Sequence, residues 1–112
     1  MATRGAGTDE GPAEDPAETI AREVLAHPAV VRLDGGPLGV VATHLPGRRV
    51  TGVRVPDDGA PVEVGVVLRL GEPLPELTEQ VRHRVRGVVG TVPVDIVVSD
   101  VVEPEPATGG ER

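Results

Sequence analysis

The sequence predicts an α+β fold: a small, mostly antiparallel sheet with two helices on one face, in the order helix, strands, helix, strand. Three observations carry this. Leu74, Leu77, Val81, Val85, Val88 and Val89 recur at spacings of three and four, the pattern of a helix with one apolar face. The apolar run Val94 to Val102 follows Gly90 directly and reads as a strand. Upstream, Val-rich runs alternate with Gly, Pro and Asp clusters, the signature of short strands joined by turns. Strands grouped between two helices favour helices gathered on one side of an antiparallel sheet.

Taken in order, residues 1–14 are rich in Gly, Ala, Pro and acids and are expected to be a disordered acidic tail. A single domain is expected over 15–102. Its first helix should open at Asp15, which has capping-box spacing to Glu18, with Pro16 at the first helical position. Ile20, Ala21, Val24 and Leu25 form its expected apolar face, and Pro28 should end it by disfavouring helical geometry at His27. Strands are expected at 29–33, 40–44, 50–55 and 62–70, separated by Asp34-Gly35-Gly36-Pro37, Pro46-Gly47 and Pro56-Asp57-Asp58-Gly59. Within 62–70, Val62, Val64, Val66, Leu68 and Leu70 share one face, and Glu63, Gly65, Val67 and Arg69 the other.

The second helix has its acids, Glu76 and Glu79, near the N-terminus and Arg82, Arg84 and Arg86 near the C-terminus, which complements the helix dipole. Pro75 suits the first turn and Gly90 the stop. The final strand places Val94, Ile96 and Val98 on one face and Asp95, Val97, Ser99 and Val101 on the other. Val67, Val97 and Val101 should therefore leave apolar surface on the face away from the helices. Residues 103–112 are expected to be a second disordered acidic tail.

Composition excludes several functions. The 112 residues contain no Cys, which removes disulfides and thiolate metal sites. They contain no Phe, Tyr or Trp, so bases cannot stack on aromatic side chains, and the core must be built largely from valine. The net charge of −7 is concentrated toward the ends, which disfavours nucleic acid and anionic lipid. No apolar run is long enough to span a membrane, and no secretory leader is evident. The expected location is the cytoplasm, with membrane proximity only through a partner.

A search for chemistry finds no catalytic set, and no cofactor or metal is expected. His27, His44 and His83 fall in three different elements and read as surface residues. Ser99 lies inside a strand without a nucleophile elbow. Asp57 and Asp58 are explained as turn formers. Gly87-Val88-Val89-Gly90 has the form of an RNA-binding Gly-x-x-Gly loop but closes a helix before a strand. The basic clusters are Arg48-Arg49, expected in a solvated turn, and the arginines of the second helix. Arg48, Arg49, Arg82 and Arg86, with Val67 and Val97, are the candidate partner contacts.

Two stretches together resemble the alkaline shock protein family of bacterial envelope stress response proteins. Ile20-Ala21-Arg22-Glu23-Val24-Leu25-Ala26 is similar to its opening helix. Gly71-Glu72-Pro73-Leu74-Pro75-Glu76-Leu77, the valine-faced helix with Gln80, and Gly90 through Val101 are similar to its closing helix and strand. The likeness spans about residues 18–102 and rests mostly on Val and Gly spacing. The chain resembles a short, divergent, actinobacterial member, and it departs from the pattern at His27-Pro28, where the family usually continues toward Gly-Val. The resemblance implies a non-enzymatic protein linked to cell-envelope stress that acts by associating with itself or with protein partners. It supplies no catalytic residues. The alternative function is a small RNA- or ligand-binding module that uses the arginine clusters.

Overall fold

The computed structural model describes residues 15–104. The expected tails at 1–14 and beyond 104 lie outside the described residues.

Helix α1, Pro16–Leu25, begins as its sequence dictates. The Asp15 carboxylate accepts from the Ala17 N–H at 2.9 Å, and the Glu18 carboxylate reaches back to the Asp15 N–H. These contacts satisfy amides that a helix start leaves open. Its buried residues are Ala17, Ile20 and Val24, whereas Leu25 is 48% exposed. The inward stripe is thus Ala17, Ile20 and Val24, and Leu25, about 100° round the helix from Val24, falls off it.

Six strands follow the two-helix plan: β1 (Val30–Leu33), β2 (Ala42–Leu45), β3 (Arg48–Thr51), β4 (Val53–Arg54), β5 (Val62–Arg69) and, after helix α2 (Leu74–Val89), β6 (Val94–Val102). β5 is the centre of the main sheet. β6 runs parallel along one edge of it, and β1 and β4 lie antiparallel, end to end, along the other. At their junction Gly65 N–H donates to Gly52 O and Gly65 O accepts from Asp34 N–H, both at 2.8 Å. β1 and β4 therefore behave as one edge strand that is interrupted between Asp34 and Gly52.

The interruption carries a separate hairpin, β2–β3, closed by Pro46-Gly47 with Gly47 in the left-handed region. The expected strand over 50–55 is thus two strands. Gly52, at φ +89, turns the chain out of β3 and back to the main sheet. Arg48 and Arg49, expected in a turn, open β3 instead.

Both helices pack on one face. Ile20 and Val24 of α1 and Leu77, Val81 and Val85 of α2 close over Val62, Val64, Val66 and Leu68 of β5, with Val30, Val53 and Val94 at the sides. A parallel β5–β6 pair joined by a helix needs a long crossover, and α2 supplies it while covering the sheet. Each fully buried aliphatic side chain contributes roughly 1.5–3 kcal/mol.

The opposite face differs from expectation at two valines. Val67 is buried at 1% exposure. It sits on the central strand with Arg32 of β1 and Asp100 of β6 as its register neighbours, so both flanks are occupied. Val101 aligns with Leu68 rather than with the outer face, because Ser99 is an extra residue at a β-bulge and reverses the alternation beyond it. Val97 stays outward and is 37% exposed.

Candidate functional site

The three histidines do not share a fate. His44 and His83 are exposed on β2 and α2. His27, expected at the surface, is buried. Its Nε2 lies 2.7 Å from Gln80 Oε1, and its Nδ1 accepts from the Ala29 N–H at 3.0 Å. With these two contacts the ring ties the exit of α1 to the middle of α2.

Among the described residues no group of three or more His, Asp or Glu side chains is arranged to hold a metal ion. A cleft of about 420 Å³ is lined by His44 with Asp15 and Asp57, but no hydrogen bond joins the imidazole to either carboxylate. The groove between α1 and α2, about 540 Å³, is lined by Thr19, Glu23, His83, Arg84, Gly87 and Val88 and is open to solvent. Asp57 and Asp58 lie in an exposed bend, where Asp58 Oδ1 accepts from Ala60 N–H. No helix among the described residues is long and apolar enough to cross a membrane.

The arginine candidates are held by the fold in separate places. Arg48 Nε donates to Glu18 Oε2 at 2.5 Å and ties the hairpin to α1. This bond holds the Glu18 carboxyl below its usual range and raises Arg48. Arg49 Nη2 donates to Gly39 O at 3.1 Å. Arg82 Nε donates to Val94 O at 3.1 Å, and its guanidinium pairs with Glu79 one turn earlier. Arg86 is exposed in the last turn of α2. The structure thus does not gather the four into one basic surface.

Asp34 is the other carboxylate with a distinct setting. The Gly36 N–H donates to its Oδ2 at 2.9 Å, and the Ser99 hydroxyl lies close by; both hold its carboxyl below the usual range. Ser99 Oγ is buried and its placement relative to Asp34 falls short of a well-formed hydrogen bond.

The feature the residue pattern did not reveal is the outer edge of β6. Val62 N–H donates to Pro93 O and Leu70 N–H to Val102 O, which fixes the phase of the pairing. Asp95 and Val97 therefore turn their backbone groups toward β5, and Val94, Ile96 and Val98 turn theirs away. Val94 O is taken by Arg82, and beyond the bulge Val101 N–H is taken by Asp100 Oδ1 at 2.8 Å. No described strand or side chain pairs with the outward groups of Ile96 and Val98. The opposite edge of the sheet is treated differently. On β4, Thr43 Oγ1 donates to Val53 O at 2.7 Å and accepts from Val55 N–H at 3.3 Å, so one hydroxyl of the hairpin stands in for a neighbouring strand.

Compared with protein-family models, curated proteins and solved structures, the chain matches none of them. The fold and the site geometry therefore carry the functional reading.

Proposed function

We propose that this protein is a non-catalytic scaffolding protein that acts by associating with itself or with protein partners. The observation that carries the reading is the nine-residue strand β6, which is unpaired along its outer edge at Ile96 and Val98 and has Val97 exposed at its centre. An edge of this kind is a template for another strand. The place of the protein in the envelope stress response, in the cytoplasm and near a membrane only through a partner, rests on its resemblance to the alkaline shock protein family. The arginine-based RNA- or ligand-binding reading has less support, since Arg48, Arg49 and Arg82 are each engaged within the chain.

Light scattering on the full chain over a concentration series tests the proposal, together with affinity capture from the source cells. A mass that rises above the monomer, or a partner recovered in stoichiometric amount, supports it. A monomer throughout with no partner recovered overturns it.

A further inference from the structure

We propose that residues 35–51, the β2–β3 hairpin with the loop that leads into it, form a hinged cover that opens as a unit from the edge of β4 while the main sheet stays folded. The proposal goes beyond the scaffolding function and does not depend on it, because it concerns the edge of the sheet opposite β6.

Strand register shows how the cover is attached. Leu33 pairs with Val66 and Val53 with Val64, so on β5 only Gly65 lies between the two pairings. In an uninterrupted antiparallel ladder, one residue opposite Gly65 would both donate to its carbonyl and accept from its amide. Here two residues divide that role: Asp34 N–H donates to Gly65 O, and Gly52 O accepts from Gly65 N–H. The chain between the Asp34 amide and the Gly52 carbonyl is therefore extruded from a single position of the strand, and the ladder keeps its register on both sides. Gly36 and Gly52, both in the left-handed region, turn the chain at the two exits. Movement about these exits breaks no hydrogen bond to β5.

Little apolar packing holds the cover down. Val41 and Ala42 are buried but lie outside the core cluster, and of residues 35–51 only Val50 packs against that cluster, as a partly buried neighbour. The polar ties to the rest of the domain run through the Thr43 hydroxyl, which bridges Val53 O and Val55 N–H, and through the exposed Arg48 on Glu18 of α1. Ion pairs as exposed as the latter contribute little in water. Arg49 is tied to Gly39 O inside the cover itself. The cleft that His44 lines runs along the seam, with residues 42–45 on one side and Asp15, Pro16 and residues 54–57 on the other. A segment with so few buried apolar contacts opens at a lower free energy than the domain unfolds. Opening uncovers Val53 O and Val55 N–H, so the cover controls whether this edge of the sheet is exposed as a template for another strand.

Native-state hydrogen exchange on the full chain, at urea concentrations below the unfolding transition, tests the proposal. An isolated two-stranded hairpin is marginal in water, so the β2–β3 amides lose their ladder when the cover opens. They should exchange with one common opening equilibrium, in step with Val55 N–H, and with protection about tenfold or more below that of the β5 amides. Two variants away from the cover, Ile96→Val on β6 and Val81→Ala on α2, remove packing from the core cluster. Ile96→Val should speed exchange in β5 about fivefold, and Val81→Ala more. Both should leave the β2–β3 amides unchanged, because the core is intact in the closed and the open states alike. β2–β3 amides that rise in step with β5 in either variant overturn the proposal, since the hairpin then opens only with the whole domain. Amides of β2–β3 that share no common opening equilibrium also overturn it, as does Val55 exchanging out of step with them.

Discussion

Gly52 and Gly65 meet backbone to backbone at the point where the edge strand of the sheet is interrupted, with Gly65 N–H donating to Gly52 O at 2.8 Å. Neither position has room for a side chain. A Cβ on Gly52 would lie 2.6 Å from Leu33 Cβ, and one on Gly65 would collide with the Asp34 carbonyl oxygen. The missing side chains let the chain leave the sheet at Asp34 and re-enter at Gly52 without breaking the ladder on β5. Gly65→Ala is therefore expected to cost about 3 kcal/mol, the upper end for overpacking, because the obstacle is backbone. Gly59→Ala is the control. It has a positive φ but open space around it, and should cost only about 1 kcal/mol. Urea denaturation of both variants checks the contrast, and equal losses would contradict it.

A 2.7 Å hydrogen-bond contact joins His27, just past the end of α1, to Gln80 of α2. His27→Ala removes a buried ring and leaves the Ala29 N–H without its acceptor, so a loss of about 1–3 kcal/mol is expected. Gln80→Ala should cost less, since Gln80 is exposed. A double-mutant cycle should return a coupling of about 1 kcal/mol. A coupling near zero would mean that the two residues act independently.

Glu18 and Asp34 are expected to contribute to the loss of stability in acid. Glu18 is held below its ordinary value of 4.5 chiefly by the hydrogen bond from Arg48, and Asp34 below its ordinary value of 3.8 chiefly by the Gly36 N–H. A carboxylate whose folded value is depressed contributes stability that is present above its unfolded value and is lost as the pH falls through the folded one. Stability should therefore decline from the ordinary carboxylate range downward. Glu18→Gln should flatten part of that decline while lowering stability near neutral pH. Chemical denaturation at a series of pH values measures both effects. An unchanged acid limb in the variant would show that the Arg48 contact makes no contribution to it.

Thr43 should be more than a strand residue. Thr43→Val keeps the shape but removes the hydroxyl that bridges Val53 O and Val55 N–H. The expected cost is about 1–2 kcal/mol, with faster hydrogen exchange at Val55. Exchange at Val55 that stays at the wild-type rate would mean that another group caps this edge.

The architecture was legible wherever local chemistry and long-range packing agree. The capping box of α1, the valine stripe of α2 ending at Gly90, and the alternation of β5 each specify an element and its inward face, and each appears in the structure. Local pattern misjudged the places where a neighbour decides. Leu25 reads as part of the inward stripe, but the packing centres on Ala17, Ile20 and Val24 and leaves Leu25 exposed. Val50 to Val55 reads as one strand, but it splits at Gly52 because the hairpin must rejoin the edge of β5. Among the candidate contacts, Val97 is outward as its alternation implies, whereas Val67 is buried on a strand with neighbours on both sides.

What the sequence determined by itself is therefore both helices, the long strands β5 and β6, the inward face of β5 and α2, and an inventory of side chains without thiols or aromatic rings. What only the tertiary structure decided is pairing: which strand is central, which is an edge, and where a bulge reverses the alternation. The physical reason is that side-chain alternation is a property of one strand, whereas an unsatisfied backbone edge is a property of its neighbours. Ile96 and Val98 look like any other strand valine or isoleucine until β5 is placed on one side of them and nothing described is placed on the other.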